Sequence, residues 1–160
     1  MKFLRLLPLL VIMTACERET TVRLEGDNPP VFAISGSGNL AALTIYGPEV
    51  EQAQEPFADT GAIWKIVPDL GYLKGTNVER LRSITYGVIP KGYKQVIPQS
   101  GAPAQLVSGK RYSYWFDTTN APHAGGSFEI RDGRAIPVEG PRLCFDFRDG
   151  KWVRIPCAPD

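Results

Sequence analysis

Leu106-Val107-Ser108-Gly109-Lys110-Arg111-Tyr112-Ser113-Tyr114-Trp115-Phe116-Asp117 is the stretch on which the reading of this chain turns. Over residues 111–117, Tyr112, Tyr114 and Phe116 alternate with Ser113 and Trp115. That period of two sends successive side chains to opposite faces of a strand. The expectation is a half-buried strand with three rings turned inward and Trp115 turned outward. Directly upstream, Leu106, Gly109 and Tyr112 stand at Leu-x-x-Gly-x-x-Tyr spacing.

This spacing resembles the tyrosine corner of immunoglobulin-like and fibronectin type III sandwiches. The resemblance implies that Leu106 plugs the core, that Gly109 makes the bend, and that the Tyr112 hydroxyl reaches back to a backbone group close to Leu106. The chain from Tyr112 onward is also similar to the end of a fibronectin type III module: an aromatic strand at 112–116, an Asn-containing loop at 117–126, and a strand at 127–131. The resemblance covers residues 29–138. An acidic insert at 48–60 and a long connection at 68–82 depart from it. The fold expected is all-β, an immunoglobulin-like or fibronectin type III-like sandwich with an added C-terminal hairpin at 143–157.

The rest of the chain agrees with short strands between turns. Among 160 residues there are 16 Gly and 14 Pro, a density of punctuation that argues against a helix bundle. Strand-like runs are read at 31–35, 40–46, 62–67, 83–89 and 93–97, with a helical turn at 77–81. Hairpins with Asp-Gly turns are read at 128–138, around Asp132-Gly133, and at 143–155, around Asp149-Gly150. The formal net charge is +1, so no electrostatic footprint for nucleic acid is present.

The N-terminus reads as an address. Lys2 and Arg5 precede an apolar run, 6–13, that is far shorter than the roughly 20 residues of a membrane-spanning helix. Met13-Thr14-Ala15-Cys16 resembles the lipobox of bacterial lipoproteins. That resemblance implies a signal peptide over 1–15, cleavage before Cys16, and acylation of the Cys16 thiol and amine. It places the protein on a bilayer of the bacterial envelope. Glu17 stands where Asp favours retention in the inner membrane, which points to the outer membrane, facing the periplasm. Residues 16–30 are polar, end in Pro29-Pro30, and read as a lipidated tether, with the sandwich domain spanning 31–160.

With Cys16 assigned to lipid, Cys144 and Cys157 remain, an even number in an exported chain, as a disulfide would leave. They flank the last hairpin. A two-residue Asp149-Gly150 loop sets Cys144 opposite Ile155; a Gly150-Lys151 loop or a bulge sets it opposite Cys157. A redox pair or metal site is the rival reading, without a Cys-x-x-Cys motif to support it.

Signals for chemistry are sparse. The single histidine, His123, lies in a Gly-rich stretch, and no Gly-x-Ser-x-Gly elbow accompanies it. Glu49, Glu51, Glu55 and Asp59 lack the spacing of a calcium loop. No metal site and no cofactor are expected. The outward Trp115, and Trp152 in the last hairpin, are the candidate binding aromatics. The function expected is non-catalytic binding or scaffolding of another envelope component, a protein or a glycan. The alternatives are an envelope hydrolase using His123 or a carboxylate pair, and a carbohydrate-binding module using Trp115.

Overall fold

The aromatic stretch forms β7, Arg111–Thr119, in the middle of the largest of three antiparallel sheets. The structure, a computed structural model, describes residues 18–48, 59–139, 143–148 and 151–156. In chain order the strands are β1 (Thr21–Glu25), β2 (Val31–Ser35), β3 (Asn39–Tyr46), β4 (Ala62–Pro68), β5 (Ser83–Thr85), β6 (Tyr93–Ile97), β7, β8 (Ala124–Arg131) and β9 (Arg134–Val138). The hairpin strands β10 (Leu143–Arg148) and β11 (Lys151–Pro156) complete the order. A 3-10 turn, Tyr72–Lys74, and a one-turn helix α1, Val78–Leu81, lie between β4 and β5.

One sheet has the order β1-β2-β5 and the other β6-β4-β3-β7-β8-β9. The chain therefore crosses between sheets after β2, after β4 and after β5, the Greek-key habit of an immunoglobulin-like sandwich. Strands β6 and β9 widen the larger sheet at its two edges. The added hairpin β10–β11 is a separate two-stranded sheet.

Alternation decides what lies between the sheets. Leu43 and Ile45 of β3, Trp64 and Ile66 of β4, Phe116 of β7 and Phe128 of β8 are fully buried, and Phe32 and Ile84 come to meet them from the smaller sheet. Tyr114 packs against this core as well. Trp64 is not left with an idle N–H: it donates to Gln95 Oε1 at 3.0 Å, as a buried indole requires.

The Leu-x-x-Gly-x-x-Tyr segment closes the sandwich at one end. Tyr112 is buried, and its hydroxyl accepts the backbone N–H of Val107 at 2.9 Å. Leu106 is buried, and its carbonyl accepts from Asn28 Nδ2 at 3.1 Å. Gly109 has a φ of 73°, a left-handed conformation that disfavours any residue with a Cβ. The Tyr112 ring stacks on Phe128, with centroids 5.5 Å apart. One turn of chain is thus tied to both sheets.

Several boundaries differ from the sequence reading. Residues 21–25, read as part of a tether, are strand β1, paired with β2 from Thr21↔Ser35 to Glu25↔Val31. Val22 and Leu24 turn to the core while their neighbours face solvent. The run read at 83–89 stops at Thr85, because Gly87 turns the chain with a φ of 80° and leaves Val88 exposed. β7 runs on to Thr119 and β8 begins at Ala124, so the loop read at 117–126 shrinks to four residues.

In the last hairpin, Arg148 pairs with Lys151 and Cys144 with Ile155, the register of a two-residue loop. Trp152 stands opposite Phe147. Cys157, Cys16, Glu49, Glu51 and Glu55 lie outside the described residues.

Two substitutions test this architecture in chemical denaturation. Tyr112→Phe leaves the Val107 N–H without its acceptor and is expected to cost about 1–3 kcal/mol. Phe32→Ala, in the centre of the core, is expected to cost about 3–5 kcal/mol. A Tyr112→Phe protein as stable as the parent excludes the corner as a structural clamp.

Candidate functional site

Strand β7 has a second face. Because Tyr112, Tyr114 and Phe116 turn inward, Trp115 and Asp117 turn to the outside of the six-stranded sheet. They join Ala42, Thr44 and Tyr46 of β3 and Lys65 and Val67 of β4 around a cleft of about 180 Å³. Tyr72, from the 3-10 turn, completes the lining. Ala42, Thr44, Tyr46 and Asp117 are buried although they lie on the outer face, whereas Trp115 is half-buried and Tyr72 exposed.

Glycines on β8 make room for the aromatic pair of β7. Tyr114 pairs with Gly126 and Trp115 with Gly125. A Cβ on Gly125 would come within 2.6 Å of the Trp115 ring, and one on Gly126 within 2.6 Å of the Tyr114 hydroxyl. Each ring lies across the backbone of its cross-strand glycine, one on each face of the sheet. Gly125-Gly126, read as the end of the loop at 117–126, is a fitted bed for two aromatics.

Asp117 is the centre of the polar contacts. Its side chain is 6% exposed. Oδ2 accepts from the Tyr72 hydroxyl at 2.8 Å, and Oδ1 lies 2.9 Å from His123 Nδ1. The same Nδ1 is 3.1 Å from the backbone N–H of Thr118. A bare Nδ1 accepts the Thr118 proton; a protonated Nδ1 donates to Asp117. One nitrogen cannot do both at once, so the presence or absence of a hydrogen on Nδ1 selects between the two partners.

His123 is exposed, in the loop between β7 and β8, and is nonetheless held there. Thr118 Oγ1 bonds the carbonyls of Ala121 and Pro122 at 3.1 and 3.0 Å and pins the short turn. The imidazole is 37% exposed on its side chain and lies beside Trp115, with ring centroids 5.7 Å apart. The structure thus brings together two of the singled-out residues, Trp115 and His123, and adds Asp117 and Tyr72, which the sequence reading did not single out. Asp59, from the acidic segment, pairs with Lys65 at 2.6 Å.

Electrostatics reflect this packing. The Tyr72 phenol is pushed up to about 12, first by burial, then by its hydrogen bond to Asp117 and by that carboxylate's charge. Burial also raises Tyr86, Tyr93 and Tyr114, the hydrogen bond from Thr76 partly offsetting the effect at Tyr93. Among the described residues, no group of three or more His, Cys, Asp and Glu side chains is placed to hold a metal ion.

Chemically, the arrangement offers an aromatic wall, a buried carboxylate and an imidazole at its rim. It can set a small polar ring against Trp115, and its imidazole and carboxylate stand 2.9 Å apart. Comparison with protein-family models, with curated proteins and with solved structures finds no match.

The raised phenol gives a pH test. Folding favours the neutral Tyr72, so its contribution to stability is complete below the unfolded value near 10 and disappears as the pH rises through about 12. A tyrosinate absorbance titration of the parent minus that of Tyr72→Phe is expected to show a late step near pH 12. Asp117→Asn is expected to move that step down. A Tyr72 step at the ordinary value excludes the Asp117 contact.

Proposed function

We propose that this protein is a lipid-anchored component of the bacterial envelope whose β-sandwich binds another envelope component, without catalysing a reaction, at the Trp115 cleft. The observation that carries this reading is the construction of that cleft. Trp115 is seated on Gly125, and Asp117 beneath it is bonded to Tyr72 and set against His123. A rigid aromatic with a fixed polar group beside it is what recognition of a small ring or an exposed side chain needs. The volume, about 180 Å³, suits one sugar ring or one side chain of a protein partner rather than a large cofactor.

Cys16 supplies the anchor in this proposal, and Glu17 favours the outer membrane on its periplasmic side. The partners are the bilayer, through the Cys16 acyl chains, and a glycan or protein of the envelope; nucleic acid is not among them. The proposed Cys144–Cys157 disulfide would staple the end of the chain, with Cys144 standing opposite Ile155, two residues short of Cys157.

A second reading has a specific observation behind it. The His123–Asp117 pair, at 2.9 Å, has the spacing in which a carboxylate orients a catalytic imidazole. An envelope hydrolase would use His123 as general acid or base there.

Two experiments separate these readings. Cys16→Ala is expected to release the protein from the membrane fraction or to leave it uncleaved. Mature Cys16→Ala protein that still fractionates with membranes refutes the anchor. In crosslinking from intact envelopes, Trp115→Ala is expected to lose the captured partner, whereas His123→Ala retains most of it. Loss of a hydrolytic activity in His123→Ala, with capture intact in Trp115→Ala, would decide for the enzyme.

A further inference from the structure

The folded body begins almost at the anchor. Arg18 already belongs to it: its carbonyl accepts from the backbone N–H of Ser37 at 3.3 Å and from Ser37 Oγ at 3.0 Å, and its guanidinium pairs with Glu79 of α1. Thr20 is buried and β1 starts at Thr21. Only Glu17 stands between Cys16 and this fixed point. Two residues of chain reach about 7 Å at full extension. On the reading that Cys16 is acylated, the pole of the sandwich around Arg18 has no slack to leave the lipid surface.

The surroundings of Arg18 are set by backbone pairing. Val78 N–H donates to Gly38 O at 2.9 Å, Asn77 Nδ2 to Ser37 O at 3.0 Å, and Leu40 N–H to Thr76 O at 3.0 Å. The connection between β4 and β5 therefore folds over the same pole as the β2–β3 turn. It also carries the outstanding apolar exposure among the described residues: Leu70 is 84% and Leu73 77% exposed. On the same connection, Lys74, Arg80 and Arg82 are exposed. Lys91 joins from the neighbouring turn, where Asp69 N–H donates to Gly92 O at 3.0 Å. With Arg18, these cations outnumber the acids of the pole, Glu19, Asp69 and Glu79.

We infer that this pole is a second, direct membrane contact: Leu70 and Leu73 enter the headgroup boundary, and Lys74, Arg80 and Arg82 meet anionic lipid. Exposed apolar side chains on a segment that also carries cations suit that boundary, and basic residues near an anionic surface are attracted to it over a Debye length. The anchor and the contact act together, since one brings the other within reach. The inference rests on the Cys16 anchor; the bilayer is the committed occupant, and a second copy of the chain or a protein partner would cover the pole only if lipid does not reach it.

The test uses the full, acylated chain in vesicles of phosphatidylethanolamine and phosphatidylglycerol with brominated acyl chains. Leu73→Trp places a reporter on the pole. Val107→Trp places one at the tyrosine corner, at the other end of β7, where the side chain is exposed. The added emission of Leu73→Trp is expected to be lost to bromine quenching, and that of Val107→Trp retained. Adding Arg80→Glu and Arg82→Glu to Leu73→Trp is expected to restore emission while the protein still floats with the vesicles. Protein that floats with equal quenching at both reporters, or with more at Val107→Trp, overturns the orientation and leaves the anchor standing. Unchanged quenching after charge reversal removes the role of the cations. A chain that does not float overturns the anchor and this inference together.

Discussion

The edge-on packing of Phe32 is the contact through which two sheets become one body. Its ring meets Tyr114 at 5.3 Å, Phe116 at 5.7 Å and Phe128 at 6.0 Å, all at steep interplanar angles. Such T-shaped contacts set the positive edge of one ring on the negative face of another. The geometry matters because the sheet that carries Phe32 is small, with strands of five, five and three residues. Three short strands hold together only when one face is packed on something larger. The larger sheet supplies that face from β7 and β8, and Tyr86 helps fasten the crossover after β5 by donating its hydroxyl to Ala104 O at 2.7 Å.

The same dependence reaches the outer face. β7 presents Tyr114 and Phe116 to Phe32 and, one residue out of phase, Trp115 and Asp117 to the cleft. A strand has no freedom to move one set without the other. The polar contacts of Asp117 are thus held by the aromatic core behind them, and Gly125 and Gly126 let β8 approach closely enough to support both rings. A larger residue at either glycine would displace a core aromatic or a cleft aromatic, depending on the face. Rigid support of this kind is what the proposed recognition by a half-buried tryptophan would need.

What was legible in the sequence was local. The tyrosine corner lies within seven consecutive residues, and its bond from Val107 N–H to Tyr112 spans five. The Asp132-Gly133 turn was equally local; both residues take positive φ, as a two-residue hairpin loop requires. β1 was hidden although its signal is present. Val22 and Leu24 alternate correctly, but the Glu, Arg and Thr around them and the Pro pair beyond gave the segment a linker's composition. The Asp117–His123 contact was lost to a misjudged loop. With 117–126 taken as irregular, nothing brought the two residues together; with Phe116 paired to Ala124, His123 has to lie beside Asp117. Tyr72 could not be found this way, since its hydroxyl reaches Asp117 from 45 residues upstream through a connection with no pattern of its own.

The place of Arg18 in the fold bears on how the proposed binding would work. A flexible tether of n residues lets a domain explore roughly 5–6 Å × √n around its anchor. Here the fold reaches back to Arg18, so a lipid at Cys16 would fix the pole rather than merely confine the domain. β7 ends at that pole, where Thr119 pairs with Asn39, and Asp117 is two residues further in. The cleft then opens beside the bilayer, not above it. A soluble partner would have to approach along the membrane surface. A partner that is itself part of that surface would find the cleft already at its own height, and the orientation of the sandwich would replace reach as the source of encounter. On that proposal, Arg18 and the outward face of β7 are parts of one arrangement.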